Sequence, residues 1–241
     1  MDTAETLIDI KNLNICFGNQ VVLQDISLQL KSGENLVVLG KSVLIKCIVN
    51  LLHFNSGTVN VFGVDVNSLQ VTGLNDLRKR IGFLFQSGAL YDSMSVKENL
   101  EFPLRRIKTK LTENEIDLKI KEVLENVGLS DSIDKMPSQL SGGMRKRISL
   151  ARTIIVEPEI ILYDEPTTGL DPITSDEIST LIIELQKKYK TSSIIITHDI
   201  ACAKKIANRL LMLQDGLVYK EGTVLEFENS KDEFLTSFLK Y

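Results

Sequence analysis

Two adjacent carboxylates, Asp164 and Glu165, follow the apolar residues 160–163. A strand that ends this way can deliver Asp164 to the coordination shell of Mg²⁺ and Glu165 to a water molecule that attacks a phosphoryl group. The same pair is also typical of a solvated turn at the end of a strand. Taken alone, it leaves both interpretations open.

A second candidate site is Ser141-Gly142-Gly143, which precedes an amphipathic helix through Ile148 and Ile155. Free backbone N–H groups at a helix start, together with the helix dipole, suit an anionic phosphate. The alternative is a helix that is capped by the Ser141 hydroxyl and binds no ligand. This motif is likewise ambiguous until its neighbours are considered.

The elements that must position these residues alternate between strands and helices. Two N-terminal strands, 7–15 and 21–30, flank a turn at 17–20 and predict an antiparallel hairpin layer. Short buried strands are predicted at 36–39, 81–85, 160–164 and 193–197. The helix predicted between the last two, at about 172–188, implies a parallel sheet because such crossovers are right-handed.

Helical patterns fill the remaining stretches. A helix is predicted from Val43 to about Leu52, ended by a turn at 55–57, and the pattern is helical from about Ser87 to Val156. Within that region Thr112 and Glu115 form a capping box, and Gly128 is placed to end the helix. The residues between them form an apolar stripe: Ile116, Ile120, Val123, Leu124 and Val127. A hairpin of 209–214 and 217–221 around Asp215-Gly216 and a terminal helix at 234–239 complete the prediction.

Composition narrows the class of protein. The 241 residues are 43% hydrophobic and 25% charged, which is typical of a globular protein, and the net charge of −4 provides no basic field to attract nucleic acid. The apolar runs are too short to span a membrane, so we expect any membrane role to need a partner. The three cysteines, Cys16, Cys47 and Cys202, lack metal-ligand spacing and are predicted to be free thiols.

The order of the motifs carries a family resemblance. Gln86 ends one strand, Ser141-Gly142-Gly143 and Asp164-Glu165 follow, and Asp171 and His198 come last. In this order and spacing the chain resembles the nucleotide-binding domain of ATP-binding-cassette (ABC) transporters from about residue 7 to 240. The resemblance implies an α/β fold with a P-loop NTPase (RecA-like) core, an N-terminal antiparallel β layer and an inserted α-helical subdomain. It implies a single ABC ATPase domain over 1–241, with the core and β layer in 1–86 and 157–241 and the helical subdomain in 87–156.

The resemblance also implies ligands and residue roles. ATP and Mg²⁺ are the implied cofactors, and Glu165 and His198 are the implied catalytic residues, the first as base and the second at the γ-phosphate. Asp164, Ser42 and Gln86 are the implied metal-binding residues. The implied nucleotide-binding residues are Phe17, which resembles the aromatic that stacks on adenine, Gly40, Lys41, Ser42, Gln86, Ser141, Gly142, Gly143 and Asp171. His198 as a plain core histidine is the alternative.

A narrower resemblance concerns cargo. Residues 141–147, with Met144 where many members carry Gln, are similar to the Mla/Mce-type ATPases of phospholipid transport, as are residues 85–91 and 98–105. The alternative is that Arg145, Lys146 and Arg147 form a solvated basic helix face and Met144 fills a gap in the core. The expected cargo is phospholipid or a related hydrophobic molecule, with another imported or exported small molecule as the alternative.

The resemblance implies partners and a location. We expect a homodimer in which ATP lies between the Lys41 loop of one copy and Ser141-Gly142-Gly143 of the other. Integral-membrane permease subunits and a Mce-domain lipid-binding protein are expected partners, on the cytoplasmic face of the cell membrane. A soluble ABC ATPase acting on DNA or ribosomes is a rival that usually carries paired cassettes or long coiled-coil inserts.

The chain departs from its family at the phosphate-binding loop. The motif G-x-x-x-x-G-K-[ST] is reduced to Gly40-Lys41-Ser42, so five residues are missing just before Lys41. Three residues span at most about 10 Å and must also turn the chain, so they cannot encircle a phosphate. We therefore expect weak ATP binding and little hydrolysis, and a catalytically impaired scaffold subunit is the second hypothesis.

Overall fold

The computed structural model describes residues 5–238 of the chain. The strands are β1 (Thr6–Phe17), β2 (Gln20–Lys31), β3 (Asn35–Leu39), β4 (Ser56–Val61), β5 (Val64–Asp65), β6 (Ile81–Leu84), β7 (Ile160–Asp164), β8 (Ser192–Ile196), β9 (Arg209–Gln214) and β10 (Leu217–Gly222). The α-helices are α1 (Val43–Ile48), α2 (Val71–Lys79), α3 (Val96–Ile107), α4 (Glu113–Asn126), α5 (Gly142–Ile154), α6 (Pro172–Tyr189), α7 (Ile200–Ile206), α8 (Val224–Glu228) and α9 (Glu233–Phe238). These elements form two compact units, 5–78 with 192–238, and 79–191.

The first unit begins with an antiparallel sheet in the order β2-β1-β4-β5. Strands β1 and β2 form the predicted hairpin, in which Phe17 pairs with Gln20 and Gly18 takes a φ of 58°. Apolar side chains of β1 are buried at alternate positions on either side of an irregularity at Asn12, namely Ile8 and Ile10 before it and Leu13 and Ile15 after it. One apolar face therefore holds this layer, as the alternation in the sequence predicts.

The same unit contains the strands β10-β9-β3-β8 in that order. Strand β3 pairs in parallel with both β8 and β9, while β9 and β10 are antiparallel. The predicted Asp215-Gly216 turn joins the last two strands, with φ values of 50° and 83°. Two consecutive left-handed residues are what a tight hairpin turn of this type requires.

Helix α1 is shorter than predicted. It ends at Ile48 rather than near Leu52, because Asn50 takes a left-handed φ of 51° and Leu51 is exposed. The predicted turn at 55–57 is also wrong, since Ser56 begins β4. A Cβ on Gly57 would lie 2.5 Å from the main-chain oxygen of Asn12, so the glycine permits close strand pairing rather than a turn.

The second unit pairs β6 with β7 in parallel, and α5 packs against β6 and against α3, α4 and α6. Its predicted capping box is confirmed, since the Thr112 hydroxyl accepts from the Glu115 N–H and the Glu115 carboxylate accepts from the Thr112 N–H. The predicted stripe on α4 is buried, and Gly128 follows the helix with a φ of 68°.

The helical region does not begin at Ser87 as predicted. Gly88 and Ala89 have φ values of 79° and 50°, and helix α3 starts only after Ser95, which forms a capping box with Glu98. Two successive left-handed residues cannot continue a right-handed helix. Residues 85–95 are therefore a loop that carries Gln86.

Several short elements escaped prediction, namely β4, β5, α2, α7 and α8. Helix α2 buries only Leu77, so its sequence lacks a strong apolar stripe. The predicted terminal helix is present as α9, although Leu239 lies outside the described residues. The predicted subdomain boundaries at 87 and 156 stay a prediction.

Two other expectations concern single features. Cys16, Cys47 and Cys202 are free thiols, and burial raises the pKa of Cys47 to about 12. No helix within residues 5–238 combines the length and apolar character needed to cross a bilayer.

An ion-pair cluster around Arg209 provides a test of the first unit. Arg209 donates to both Glu34 carboxylate oxygens at 2.7 and 3.0 Å, and it also contacts Glu221 and the main-chain oxygen of Gln29. Because Arg209 and Glu34 are mostly buried, Arg209→Met is expected to lower the free energy of unfolding by roughly 2 kcal/mol in urea titrations. The exposed pair Lys11–Asp9 supplies the control, and Lys11→Met should cost less than about 1 kcal/mol. Equal losses for the two variants would contradict this assignment.

Candidate functional site

The connection between β3 and α1 consists of Gly40, Lys41 and Ser42. Gly40 is buried and packs so closely on Leu213 that a Cβ there would lie 2.8 Å from its Cδ1 atom. Lys41 is exposed, and Ser42 sits at the N-cap of α1 with a φ of −57°. The short connection therefore folds, but it leaves three residues where the family motif has eight.

A cavity of about 180 Å³ adjoins this connection in the first unit. It brings together three predicted site residues, Gly40, Lys41 and His198, whereas Phe17 and Ser42 do not line it. Phe234 and Phe238 of α9 also line it, which sequence reasoning missed because the pattern of α9 indicated only an amphipathic helix. Small-molecule pockets usually measure about 300–1,000 Å³, so this cavity alone is too small for a nucleoside triphosphate.

His198 follows strand β8 and is exposed. The alternative that it is a buried core histidine is therefore wrong. The chain turns sharply here, since the Asp199 N–H donates to the Thr197 hydroxyl at 3.0 Å and the Asp199 carboxylate accepts from the Cys202 N–H at 3.0 Å. These two bonds start helix α7 and fix the backbone beside the histidine.

Asp164 and Glu165 lie at the end of β7 in the second unit, and they are only 5% and 8% exposed. The alternative of a solvated turn is therefore wrong. Glu165 has a left-handed φ of 51°, and its carboxylate accepts a hydrogen bond from the Thr168 hydroxyl at 3.0 Å. A non-glycine residue in this conformation is uncommon and needs stabilising contacts from its surroundings.

The start of α5 and the start of α6 face a shared cavity of about 390 Å³. Its lining brings together four predicted residues, Ser141, Gly142, Gly143 and Asp171. Both polar side chains cap helices: the Ser141 hydroxyl accepts from the Met144 N–H at 3.2 Å, and the Asp171 carboxylate accepts from the N–H groups of Ile173 and Thr174. The capping and ligand-binding interpretations of Ser141 are therefore compatible, because the N–H groups of the two glycines remain at the helix start.

Hydrogen bonds also set the charge of Asp171. The Thr174 hydroxyl donates to the Asp171 carboxylate at 2.6 Å and, with the Thr174 N–H, holds the pKa of that carboxyl below its usual value. Asp171 is therefore ionised at neutral pH, and its negative charge lies at the start of α6, where the helix dipole favours an anion.

The loop that carries Gln86 packs against α5. Lys146 donates to the main-chain oxygen of Gln86 at 2.6 Å, while the Gln86 side chain is exposed. The three basic residues of α5 have different surroundings: Arg145 is exposed, Lys146 is 7% exposed, and Arg147 pairs with Glu177 at 2.8 Å. The alternative of a single solvated basic face is therefore wrong. Helical spacing puts Lys146 on the same side as the buried Ser149 and Leu150, but a charged side chain is not expected there without the partners that only the tertiary structure shows.

The residues present fit the two implied ligands unequally. Asp164, Ser42 and Gln86 supply oxygen atoms of the kind that Mg²⁺ prefers, and Mg²⁺ needs only one or two protein ligands when phosphates supply others. Within residues 5–238 no cluster of three or more His, Cys, Asp or Glu side chains could hold a metal ion by itself. On the phosphate side, the three-residue connection provides no ring of backbone N–H groups, so it does not fit a triphosphate as an intact loop does.

Four of the candidate residues follow the carboxyl end of a strand: Lys41 after β3, Gln86 after β6, Glu165 after β7 and His198 after β8. In nucleotide-binding α/β proteins the ligand-binding residues lie at this end of the strands. These positions along the chain, with the glycine-rich start of α5, are those expected of a P-loop nucleotide-binding protein of the ATP-binding-cassette type.

Comparison with known proteins agrees. The sequence model of the family described as "ABC transporter" matches residues 23–168. The chain is 38% identical to the intermembrane phospholipid transport system ATP-binding protein MlaF of Haemophilus influenzae, over 98% of this chain and 91% of that protein. It therefore belongs to the ABC transporter family of ATP-binding proteins and is an ABC ATPase by family.

Other relatives differ in their described cargo. The probable ribonucleotide transport ATP-binding protein mkl of Mycobacterium leprae is 37% identical, over 86% of this chain and 60% of its own length. The methionine import ATP-binding protein MetN of Clostridium acetobutylicum is 35% identical, over 90% of this chain and 69% of its own length. This chain thus spans only three fifths of the length of the mkl relative.

Solved structures give the same fold. CbiO1 from Clostridium perfringens, part of the ABC transporter complex cbiONQ, matches with a TM-score of 0.84 and 28% identity over 94% of this chain and 92% of its own. The ATP-binding cassette MJ0796, seen as a dimer in a post-hydrolysis state bound to ADP and Pi, matches with a TM-score of 0.80 and 30% identity. The match covers 90% of this chain and 98% of that chain. The predicted α/β P-loop NTPase fold is confirmed.

The first two residues of α5 provide a matched test of the shared cavity. A Cβ on Gly143 would lie 2.7 Å from the Cγ2 atom of Thr174, whereas a Cβ on Gly142 would make ordinary contact, 3.6 Å from Leu170. Gly143→Ala should push Thr174 away, disturb its bond to Asp171 and cost about 2 kcal/mol of unfolding free energy in urea. Gly142→Ala should cost nothing, because alanine favours a helix. An equal effect of the two substitutions would show that the close approach is not rigid.

Proposed function

We propose that this chain is the ATP-binding subunit of an ABC transporter that moves phospholipid or a related hydrophobic cargo. The cargo assignment rests on the extent of the MlaF match, which covers nearly all of both chains. The mkl and MetN relatives are longer and extend well beyond the part that matches this chain. The sequence Met144-Arg145-Lys146-Arg147 supports the same assignment. Methionine or ribonucleotide transport is the alternative that those two relatives raise.

We infer the residue roles from the geometry of each unit. Glu165 is buried, oriented by Thr168 and placed at the end of a strand, as a general base for water requires. Asp164, Ser42 and Gln86 would hold Mg²⁺, whose contribution is to neutralise the charge of bound phosphates. Lys41 and His198 share a cavity and would contact phosphate oxygens, and the exposed Phe17 ring would stack on adenine.

A second copy of the chain completes the proposed site. ABC ATPases dimerise and pair with membrane permease subunits, and the cassette MJ0796 is itself a dimer. We infer that Ser141, Gly142 and Gly143 of one copy face the nucleotide held by Lys41 of the other, and that Asp171 orders this surface. The permease, on the cytoplasmic face of the membrane, and a Mce-domain lipid-binding protein are the proposed partners.

The short phosphate loop bears on how well this chain binds ATP. An intact loop surrounds the phosphates with charge-assisted backbone hydrogen bonds, each of which contributes roughly 1.5–3 kcal/mol. Gly40, Lys41 and Ser42 can supply few of them, and the adjoining cavity is small. We therefore infer weak binding and slow hydrolysis. A scaffold that assembles with the permease without turnover is the second candidate, and the same loop is the observation that favours it.

A loop-restoration experiment tests both candidates. Five residues ending in glycine are inserted between Gly40 and Lys41, and fluorescent ATP is titrated onto the original and the restored chain. We expect the restored chain to bind ATP about a hundredfold more tightly, which corresponds to two charge-assisted hydrogen bonds, and to hydrolyse it. Lys41→Met in the restored chain is the control and should abolish the gain.

Three results would change the proposal. Micromolar affinity and normal turnover of the original chain would refute the impairment. Restored binding without hydrolysis would favour the scaffold. If neither chain binds ATP, the proposed roles of Lys41 and His198 are wrong.

The cargo is tested on the complex that a tagged chain forms in the cell of origin. We expect a multi-spanning permease to co-purify with it and phospholipid to be the ligand that mass spectrometry finds in the purified complex. Bound methionine or a ribonucleotide in place of lipid would transfer the assignment to the MetN or mkl type. Co-purification with DNA or ribosomes and no membrane protein would reject transport altogether.

A further inference from the structure

Lys146 is a buried cation with two main-chain partners. It lies on α5 and donates to the main-chain oxygen of Gln86 at 2.6 Å and to that of Glu165 at 3.2 Å. Only 7% of the residue is exposed. A lysine is almost never buried without such partners, because removing an ammonium group from water is costly. One ammonium group therefore joins the loop after β6 to the end of β7.

The partner at the end of β7 has an unfavourable backbone conformation. Glu165 has a φ of 51°, a left-handed conformation that is unfavourable for a residue with a side chain. Its main-chain oxygen accepts from Lys146 and, at 3.4 Å, from the Thr168 N–H. These hydrogen bonds favour the left-handed conformation, which in turn directs the Glu165 side chain.

The charges around Lys146 suit this position. Burial lowers its pKa, and the carboxylates of Asp164 and Glu165 act in the opposite direction. These two carboxylates are themselves buried, so the ammonium group offsets part of their mutual repulsion. The cation is therefore linked to the two acidic residues by charge as well as by the hydrogen bond to Glu165.

The loop after β6 is held by α5 at further points. A Cβ on Gly88 would lie 2.6 Å from the Ser149 hydroxyl oxygen, so the loop passes close to the helix. Arg152 donates to the main-chain oxygen of Ala89 at 3.3 Å and lies 4.9 Å from the centre of the Tyr91 ring. Lys146, Ser149 and Arg152 are spaced by three residues and form one helix face. Of these three, Lys146 alone also bonds to Glu165.

We propose that Lys146 is a positioning residue that ties the main chain at Gln86 to the main chain at Glu165 and holds Glu165 in its left-handed conformation. The position of the Glu165 carboxylate then depends on the position of the Gln86 loop, because a displaced loop draws the ammonium group away from Glu165. The functional meaning rests on the roles proposed above for Gln86 and Glu165. The structural link itself does not require ATP binding.

Hydrogen exchange of the full chain without nucleotide tests the link. In Lys146→Met, which removes the donors and keeps the length of the side chain, the amides of residues 86–91 and of 165, 167 and 168 should exchange about tenfold faster. Tenfold corresponds to the loss of one charge-assisted hydrogen bond. Lys146→Arg should retain slow exchange in both segments, because its planar group has several donors. Lys146→Gln, which is shorter and can reach only one of the two oxygens, should leave one segment fast.

Two control variants separate a specific link from general loosening. Arg145→Met alters the exposed neighbour of Lys146 and should leave both segments unchanged. Arg152→Met removes a contact of the loop alone, so faster exchange should be confined to residues 87–91.

Three outcomes would overturn the proposal: unchanged exchange near Glu165 in Lys146→Met, equally faster exchange throughout residues 79–191, or the same effect near Glu165 in Arg152→Met. If Lys146→Met does not fold, the exchange rates of Lys146→Arg and Lys146→Gln are compared to test the proposal. Equal exchange in those two variants would reject the link. Because exchange is read without ATP, an inactive phosphate loop cannot imitate either result.

Discussion

The constraint on which the functional residues depend is the point where a buried parallel strand ends and the chain must leave the sheet. Strands β3, β7 and β8 are buried at every residue. The residues that follow them are therefore the first that can face a ligand. Their main-chain groups have no further strand partners, and they bond to side chains instead, as at Glu165 and Asp199. At Glu165 a left-handed conformation and candidate chemistry occur together for this reason.

Main-chain groups without regular partners also occur at the starts of helices α5 and α6, which line the second cavity. The first N–H groups of a helix lack partners within the helix, and Ser141 and Asp171 each satisfy some of them. Such a cap orients the backbone without using every N–H group. In α5 the glycine at 143 also permits close contact with Thr174, so two helix starts, α5 and α6, lie against one cavity. The two caps and the close glycine contact together determine the shape of this cavity.

Much of this could be read from the sequence, for a physical reason. Asp164-Glu165 and His198 follow short apolar runs, and hydrophobic periodicity is the primary structural signal that a sequence carries. The capping box of α4 and the Asp215-Gly216 hairpin could be predicted because their bonds are local. The end of α1 was not, since it depends on a left-handed conformation at Asn50 that no neighbouring residue specifies.

The role of Lys146 lay beyond the sequence for a related reason. In the run Arg145-Lys146-Arg147 all three side chains suggest solvent, and only the tertiary structure separates the buried ammonium group from its exposed neighbours. Long-range partners such as the main-chain oxygen of Gln86, sixty positions away, leave no local pattern. The same holds for Phe234 and Phe238, whose place beside Lys41 depends on the path of the whole first unit.

The short phosphate loop shows that stability and ligand binding have separate sources in this fold. Strand β3 keeps its parallel partners β8 and β9, and Leu44, Ile45, Cys47 and Ile48 of α1 are all buried. The apolar contacts that stabilise this region therefore survive without an intact loop, because they come from the elements on either side of it. The loop contributes polar backbone groups, whose value lies in binding phosphate rather than in folding. A chain of this family can consequently lose part of its phosphate loop and keep its architecture.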